Sequence, residues 1–189
     1  RVQAYTRLMA EKLGIEGEEL ADISTGALLH DIGNLGIPDS ILLKAGPLDN
    51  AQWKLVRRHV EVGAELLSSM EGLEGPRQLV LEHHERWDGS GYPKGLSGHE
   101  ISMGARIFAI ADTLETLLSP RPWRKAWPLP EVVAEIHRGV GILFDPEVVA
   151  AFDAIDTTEW IKIRSEFPDK LWSAQSSAMS LELPERPDL

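Results

Sequence analysis

The stretch from Ala105 to Leu118, ARIFAIADTLETLL, is apolar on almost every side of a helix, and this constrains the fold more than any other feature of the chain. Such a helix has to be wrapped by others, and the rest of the sequence supplies them. Apolar residues recur at three and four along Val2, Tyr5, Leu8, Met9 and Leu13, and again at Leu20, Ile23, Ala27 and Leu28. The longest run, Asn50 to Met70, places Trp53, Val56, Val60, Ala64, Leu67 and Met70 in register, with Asp49 or Asn50 as N-cap. Pro76 suits the first turn of a helix running to about Arg86. Shorter helices follow from about Glu131, from about Asp145 and from about Thr158 to Ser165. Strand alternation is absent and there is no internal repeat, so the expected fold is all-α.

Gly33, Gly36 and Pro38 punctuate the loop after His30, and DGSGYPKGLSGHE, with four glycines and a proline, reads as a long loop without regular structure. After about Asp156 the composition changes, which gives an expected division into 1–156 and an extension, 157–189. The extension is expected to be partly helical, with a loosely ordered Pro-rich acidic end. Because Arg1 opens directly into an amphipathic pattern without an N-cap, the chain is expected to be a fragment of something longer.

Nineteen basic against thirty acidic residues give a formal charge of −11 over 189 residues. That balance argues against a broad surface for polymeric nucleic acid or anionic membrane, but not against a small phosphate ligand, which needs only a few local cations. No apolar stretch approaches a membrane span. Zero cysteines exclude disulfides, thiolate metal ligands and a cysteine nucleophile, and fit a cytoplasmic location.

Six histidines occur, four of them between His30 and His84. His30 and Asp31 sit together at a helix end, His59 lies within a helix, and His83 and His84 are adjacent near the end of the next. Asp112 is a carboxylate inside the most apolar helix, where ionisation is costly unless a cation or hydrogen bonds compensate it. Adjacent helical residues point about 100° apart, so His83 and His84 are expected to serve two neighbouring ions, or one ion and its ligand, rather than a single ion. A carboxylate such as Asp31 can bridge two cations, the arrangement of a two-metal hydrolytic site. Each pair alone is commonplace; their order along the chain, together with Asp112, makes the joint case. His99 and His137 read as surface residues, the latter with no carboxylate pattern around it.

HDIGNLGIPDSIL (His30 to Leu42), HHERWDGSGYPKGL (His83 to Leu96) and ARIFAIADTLETLLSPRPWRKA (Ala105 to Ala126) together resemble the HD-GYP family of cyclic di-GMP phosphodiesterases. The resemblance runs from Arg1 to about Phe152 and ends in GILFDPEVVAAF. It implies a helical bundle carrying two or three divalent metal ions, iron or manganese, and hydrolysis of cyclic di-GMP to linear pGpG or GMP. Carried across by motif, the metal ligands are His30, Asp31, His59, His83, His84 and Asp112. Asp31 and His84, with the residue at position 34, belong to the catalytic group, and Asp31 is the bridge. Tyr92 contacts substrate, and Arg121 and Arg124 hold phosphate oxygens. Implied partners are cyclic di-GMP and, among proteins, diguanylate cyclases or other signalling proteins; a homodimer stays open, and an upstream receiver or sensory domain is a family habit.

The sequence departs from the family pattern in places. Two metal-ligand positions, a glutamate and a histidine, would precede Arg1. Asn34 stands where relatives carry a lysine, which removes a cation near the scissile phosphate. Glu115 stands in place of a second aspartate, so Asn34 and Glu115 read as a linked replacement, and Trp123 replaces a tyrosine. These departures support a second reading, a catalytically weak or inactive relative that senses nucleotide or docks a partner. A third, an HD-type di-iron oxygenase, is opposed by the GYP loop and the arginine pair.

Overall fold

The computed structural model describes residues 1–121 and 124–168. The architecture is all-α: α1 (Val2–Lys12), α2 (Gly17–Leu29), a 3₁₀ turn (Ile32–Gly36), α3 (Asp39–Leu42), α4 (Asn50–Arg57), α5 (His59–Ser68), α6 (Glu74–Glu82), α7 (Met103–Leu118), α8 (Leu129–Arg138), α9 (Pro146–Asp153) and α10 (Thr157–Glu166). Among the described residues there is no strand, only two isolated bridges, Arg121 with Arg124 and Val140 with Phe144. No helix among them is long and apolar enough to cross a membrane.

The all-round apolar segment is the axis of the molecule. Ile107, Phe108, Ile110, Ala111, Leu114 and Leu117 of α7 are buried together with Tyr5 and Met9 of α1, Ile23 and Ala27 of α2, Val132 and Ile136 of α8, and Val148 and Phe152 of α9. Local chemistry sets the helix starts. Asp49 caps α4 in a capping box with Gln52. Asp145 accepts from the Glu147 amide (2.8 Å), and Pro146 occupies the first turn of α9. Asp156 accepts from the Thr158 amide (2.8 Å) and starts α10.

Two expected helices are shorter than their periodicity suggests. The run from Asn50 to Met70 breaks at Arg58 into α4 and α5. The carbonyl of Val56 accepts from the His59 ring (2.8 Å), and the Arg58 amide turns back to Leu55. Met70, beyond the end of α5, is exposed. α6 stops at Glu82 rather than near Arg86, because His83 and His84 turn away from the helix axis. Leu28, placed with the apolar face of α2, is exposed instead. The long loop is irregular but for a 3₁₀ turn at Gly98–Glu100, capped by Ser97 and Glu100.

Residues 157–168 of the extension pack on the bundle. Trp160 is buried, stacks on Phe152 (centroids 5.3 Å apart, 25° between planes) and meets Tyr5 edge-on (5.7 Å, 70°). The expectation for the Pro-rich end lies outside the described residues. Trp160→Ala should cost about 3–5 kcal/mol through lost burial and the cavity left behind, read as a lowered urea midpoint at unchanged slope.

Candidate metal centre

Three helices end facing one another, and each delivers a histidine. The last turn of a helix leaves carbonyls without backbone partners. In α2 the Ala27 carbonyl accepts from His30 Nδ1 (2.9 Å), in α4 the Val56 carbonyl from His59 Nδ1 (2.8 Å), and in α6 the Val80 carbonyl from His83 Nδ1 (2.8 Å). A carbonyl has no proton to give, so Nδ1–H is the donor in all three, and Nε2 is the atom left to face the centre. His84 follows His83 in the turn and stacks on Tyr92 (4.8 Å, 22°).

The donor atoms converge. Ring nitrogens of His59, His83 and His84 all lie within 4.8 Å of one another. Asp31 reaches His30 Nε2 (3.2 Å) and stands 3.9 Å from His59 Nε2. The rings of His83 and His84 are 4.2 Å apart, just past the end of α6.

Burial drives the electrostatics. His83 and His84 are held well below the usual imidazole range by desolvation and by neighbouring cationic groups, and His59 is lowered by burial too. For His30 burial also lowers the pKa, but the hydrogen bond and charge of Asp31 and the charge of Asp112 outweigh it, lifting it to about 8. Asp31 is raised by burial yet ends at about 2, because His30 bonds it and His30, His83 and His59 surround it. Asp112 is pushed up to about 6 by desolvation, with His30 and Arg121 opposing and Asp31 and Glu115 adding to the rise. Asp112 is thus coupled by charge to His30, Asp31, Arg121 and Glu115.

The residues fit a divalent metal. Neutral His59 and His83 bring their Nε2 atoms to 3.2 Å. With both Nδ1 atoms protonated, these are two lone pairs facing each other. They cannot hydrogen-bond together, and a shared cation satisfies both. The donor set of imidazoles and carboxylates, without thiolate, suits iron, manganese or zinc.

Gly33 and Gly91 permit the close approaches. A Cβ on Gly33 would lie 1.8 Å from the His59 carbonyl oxygen, so the His30–Asp31 turn can rest on α5 only with glycine there. A Cβ on Gly91 would lie 2.4 Å from the Arg86 amide nitrogen, where the loop folds back and the Tyr92 amide donates to the His84 carbonyl (3.2 Å).

Sequence reasoning missed the loop's internal brace. Glu85 is buried and accepts from the Lys94 (2.8 Å) and Leu96 (3.1 Å) amides, while buried Glu82 accepts from the Ser102 amide (2.9 Å). Within the polar run HHER nothing local marks Glu85 as internal, because its partners lie nine and eleven residues on. Arg57 was missed too; its guanidinium lies over the Tyr92 ring, 5.1 Å from the centroid.

The remaining candidates are placed as follows. Asn34 lies in the 3₁₀ turn beside the cluster, its side-chain oxygen buried without a hydrogen-bond partner among the described residues. Arg124 turns inward, donating to the carbonyls of Thr116 (2.6 Å) and Leu117 (3.2 Å) at the end of α7 and lying over Trp127. Glu115 bonds Arg1 (2.9 Å), Ser119 (2.8 Å) and Arg164 (3.5 Å). The expectation for Trp123 lies outside the described residues. His99 and His137 are exposed, but His137 does have a carboxylate neighbour, Asp153, at 2.8 Å.

Residues 1–148 match the HD domain family, and the chain belongs to it, within the HD-GYP group. It is 43% identical over 153 residues to the cyclic di-GMP phosphodiesterase response regulator RpfG of Xanthomonas campestris, a match covering 80% of this chain and 40% of that protein. To a cyclic di-GMP phosphodiesterase of Thermotoga maritima it is 42% identical over 154 residues, covering 80% and 42%. To the 3'3'-cGAMP-specific phosphodiesterase 2 of Vibrio cholerae it is 36% identical over 171 residues, covering 89% and 33%. The chain thus spans about two fifths or less of the length of these relatives. In fold it is similar to a cyclic GMP-AMP specific phosphodiesterase structure from V. cholerae, with TM-score 0.60 and 19% identity, covering 89% of this chain and 43% of that one.

Gly33→Ala should push the His30–Asp31 turn off α5 and cut bound divalent metal to a small fraction of the wild-type amount, measured by elemental analysis of folded protein. Glu85→Ala leaves two loop amides without acceptors at about 1–3 kcal/mol each, and should speed amide hydrogen exchange at Lys94 and Leu96 while the helices stay protected.

Proposed function

We propose that this chain is the hydrolytic unit of a metal-dependent phosphodiesterase that opens cyclic di-GMP to linear pGpG, and onward to GMP. The observation that carries this reading is the convergence of neutral imidazole lone pairs and the Asp31 carboxylate at the ends of three helices, in a chain whose relatives bear the names of cyclic dinucleotide phosphodiesterases. We assign the site two or three divalent ions, iron or manganese, held by His30, Asp31, His59, His83, His84 and Asp112, with Asp31 as the bridge. Residues 1–156 form the hydrolytic unit, 157–189 its extension, and the compartment is the cytoplasm.

When bound, the metal supplies Lewis acidity and a water activated for attack on phosphorus. The chain's own residues do the rest. Opening the ring breaks one P–O3' bond, and the departing 3'-oxygen takes up a proton. Asp31, ionised well below neutrality, contributes a fixed negative charge that holds the cluster together. His83 and His84 stay neutral and so present lone pairs rather than protons at working pH. Arg121, whose charge acts on Asp112, neutralises charge growing on the phosphate oxygens. Tyr92 stands next to His84 as a substrate contact. Arg124 serves the phosphate group from behind, by fixing the end of α7 from which the Arg121 segment leaves. Asn34 offers an amide where relatives carry a lysine, with a buried oxygen able to accept a hydrogen bond in the site.

The full-length protein, reconstituted anaerobically with iron(II) or manganese(II), should linearise cyclic di-GMP. A chelator and Asp31→Ala should each abolish the reaction, with products separated by chromatography. Turnover of 3'3'-cGAMP in preference to cyclic di-GMP would move the substrate assignment. Tight nucleotide binding without turnover in any metal would replace the enzyme with a sensing module.

A further inference from the structure

A continuous helix from Asn50 to Met70 would put residues 57 and 59 about 200° apart, on opposite sides. The break at Arg58 removes that separation. His59 opens α5 inside the cluster, while Arg57, the last residue of α4, lies over Tyr92, whose ring stacks on His84. His59 and His84 are themselves 5.1 Å apart, so residues 57 and 59 both face one side of the site.

Arg57 is exposed, and among the described residues it forms no ion pair, in a chain with thirty acidic and nineteen basic side chains. Its guanidinium lies over the Tyr92 ring. Its charge is felt at His84, as is that of Arg86. The charge of Arg121 acts on Asp112. Cationic charge therefore stands at the His84 side of the histidines, in a protein otherwise acidic. A cyclic dinucleotide carries two phosphodiesters on opposite sides of one ring, and only one can be at the reacting centre.

We propose that Arg57 is a substrate-binding residue for the second, non-scissile phosphodiester of a cyclic dinucleotide. This rests on the function proposed above. The Tyr92 ring holds the guanidinium at the rim, and the forked N–H groups of Arg57 donate to the phosphate oxygens while the other diester lies at the cluster. The role requires the helix break. It also explains how an acidic chain can hold a dianion without a basic surface.

The test is equilibrium binding of cyclic di-GMP and of 5'-GMP to metal-loaded full-length protein, with Arg57→Ala and Arg57→Lys as variants. Arg57→Ala should weaken cyclic di-GMP binding about ten- to a hundredfold, the loss expected of a charge-assisted pair. Binding of 5'-GMP, which has a single phosphate, should change less than twofold. Metal content, measured by elemental analysis, should match the wild type. Arg57→Lys should recover part of the loss. Cyclic di-GMP affinity within twofold of the wild type in Arg57→Ala would overturn the proposal, as would equal losses for both nucleotides. Absence of cyclic di-GMP binding in the wild type would instead overturn the function on which it rests.

Discussion

The whole site hangs on three hydrogen bonds of one kind, between the ring of a histidine and a carbonyl left over at the end of a helix. Ala27, Val56 and Val80 each supply that carbonyl, and His30, His59 and His83 each use Nδ1 to take it. The bond settles two things at once. It satisfies an acceptor that helix geometry abandons, and it leaves Nε2 as the atom aimed at the centre, a lone pair in neutral His59 and His83. Because the C-terminal ends of α2, α4 and α6 carry the negative pole of their dipoles, their convergence favours a cation before any carboxylate is counted. Asp31 and Asp112 then add formal charge to a place already arranged for a positive guest.

The rest of the local architecture keeps those ends in place. Gly33 lets the His30–Asp31 turn touch the backbone of His59, and Gly91 lets the loop lie on the turn that carries His84. Glu82 and Glu85, counted in the net charge of −11 as though they faced solvent, are buried acceptors for backbone amides. The Arg106–Asp145 pair (2.6 Å) is likewise spent inside, tying α7 to the cap of α9. With those acids turned inward, the cations near the cluster, Arg57, Arg86 and Arg121, act on it more strongly than the overall charge implies. A small dianion is a suitable guest for such a site. A polymer of phosphates, needing a wide basic face, is not.

Much of this was legible in the sequence because it depends on local rules. The all-α fold, the cap at Asp49, the proline in the first turn of α6 and the burial of α7 follow from periodicity and side-chain chemistry within a few residues. The candidate ligands were legible through motif order and through Asp112, a carboxylate where only apolar residues belong. What stayed hidden depends on partners distant along the chain. The break at Arg58 leaves the apolar spacing from Trp53 to Leu67 intact, since it is made by a side chain taking a backbone carbonyl. The approach of His83 to His84 follows from where α6 stops. Arg124, expected to hold phosphate directly, bonds helix-end carbonyls, which no pattern in RPWRK indicates.

The substitution at position 115 shows how the extension enters the design. Glu115 lies one turn beyond Asp112 on α7, close enough that its charge raises the proton affinity of Asp112. Left alone it would compete with the site for cations. Instead Arg1 and Arg164 bind it, one from α1's leading edge and one from α10, and Arg1 also donates to the Phe167 carbonyl (2.8 Å). A linked replacement with Asn34 is therefore unnecessary to account for Glu115, whose balancing charges come from the two ends of the described bundle. Trp160, buried against Tyr5 and Phe152, fixes α10 where Arg164 can reach. Residues 157–168 thus act on α7 through charge as well as packing, because Arg164 helps neutralise a carboxylate whose charge reaches Asp112.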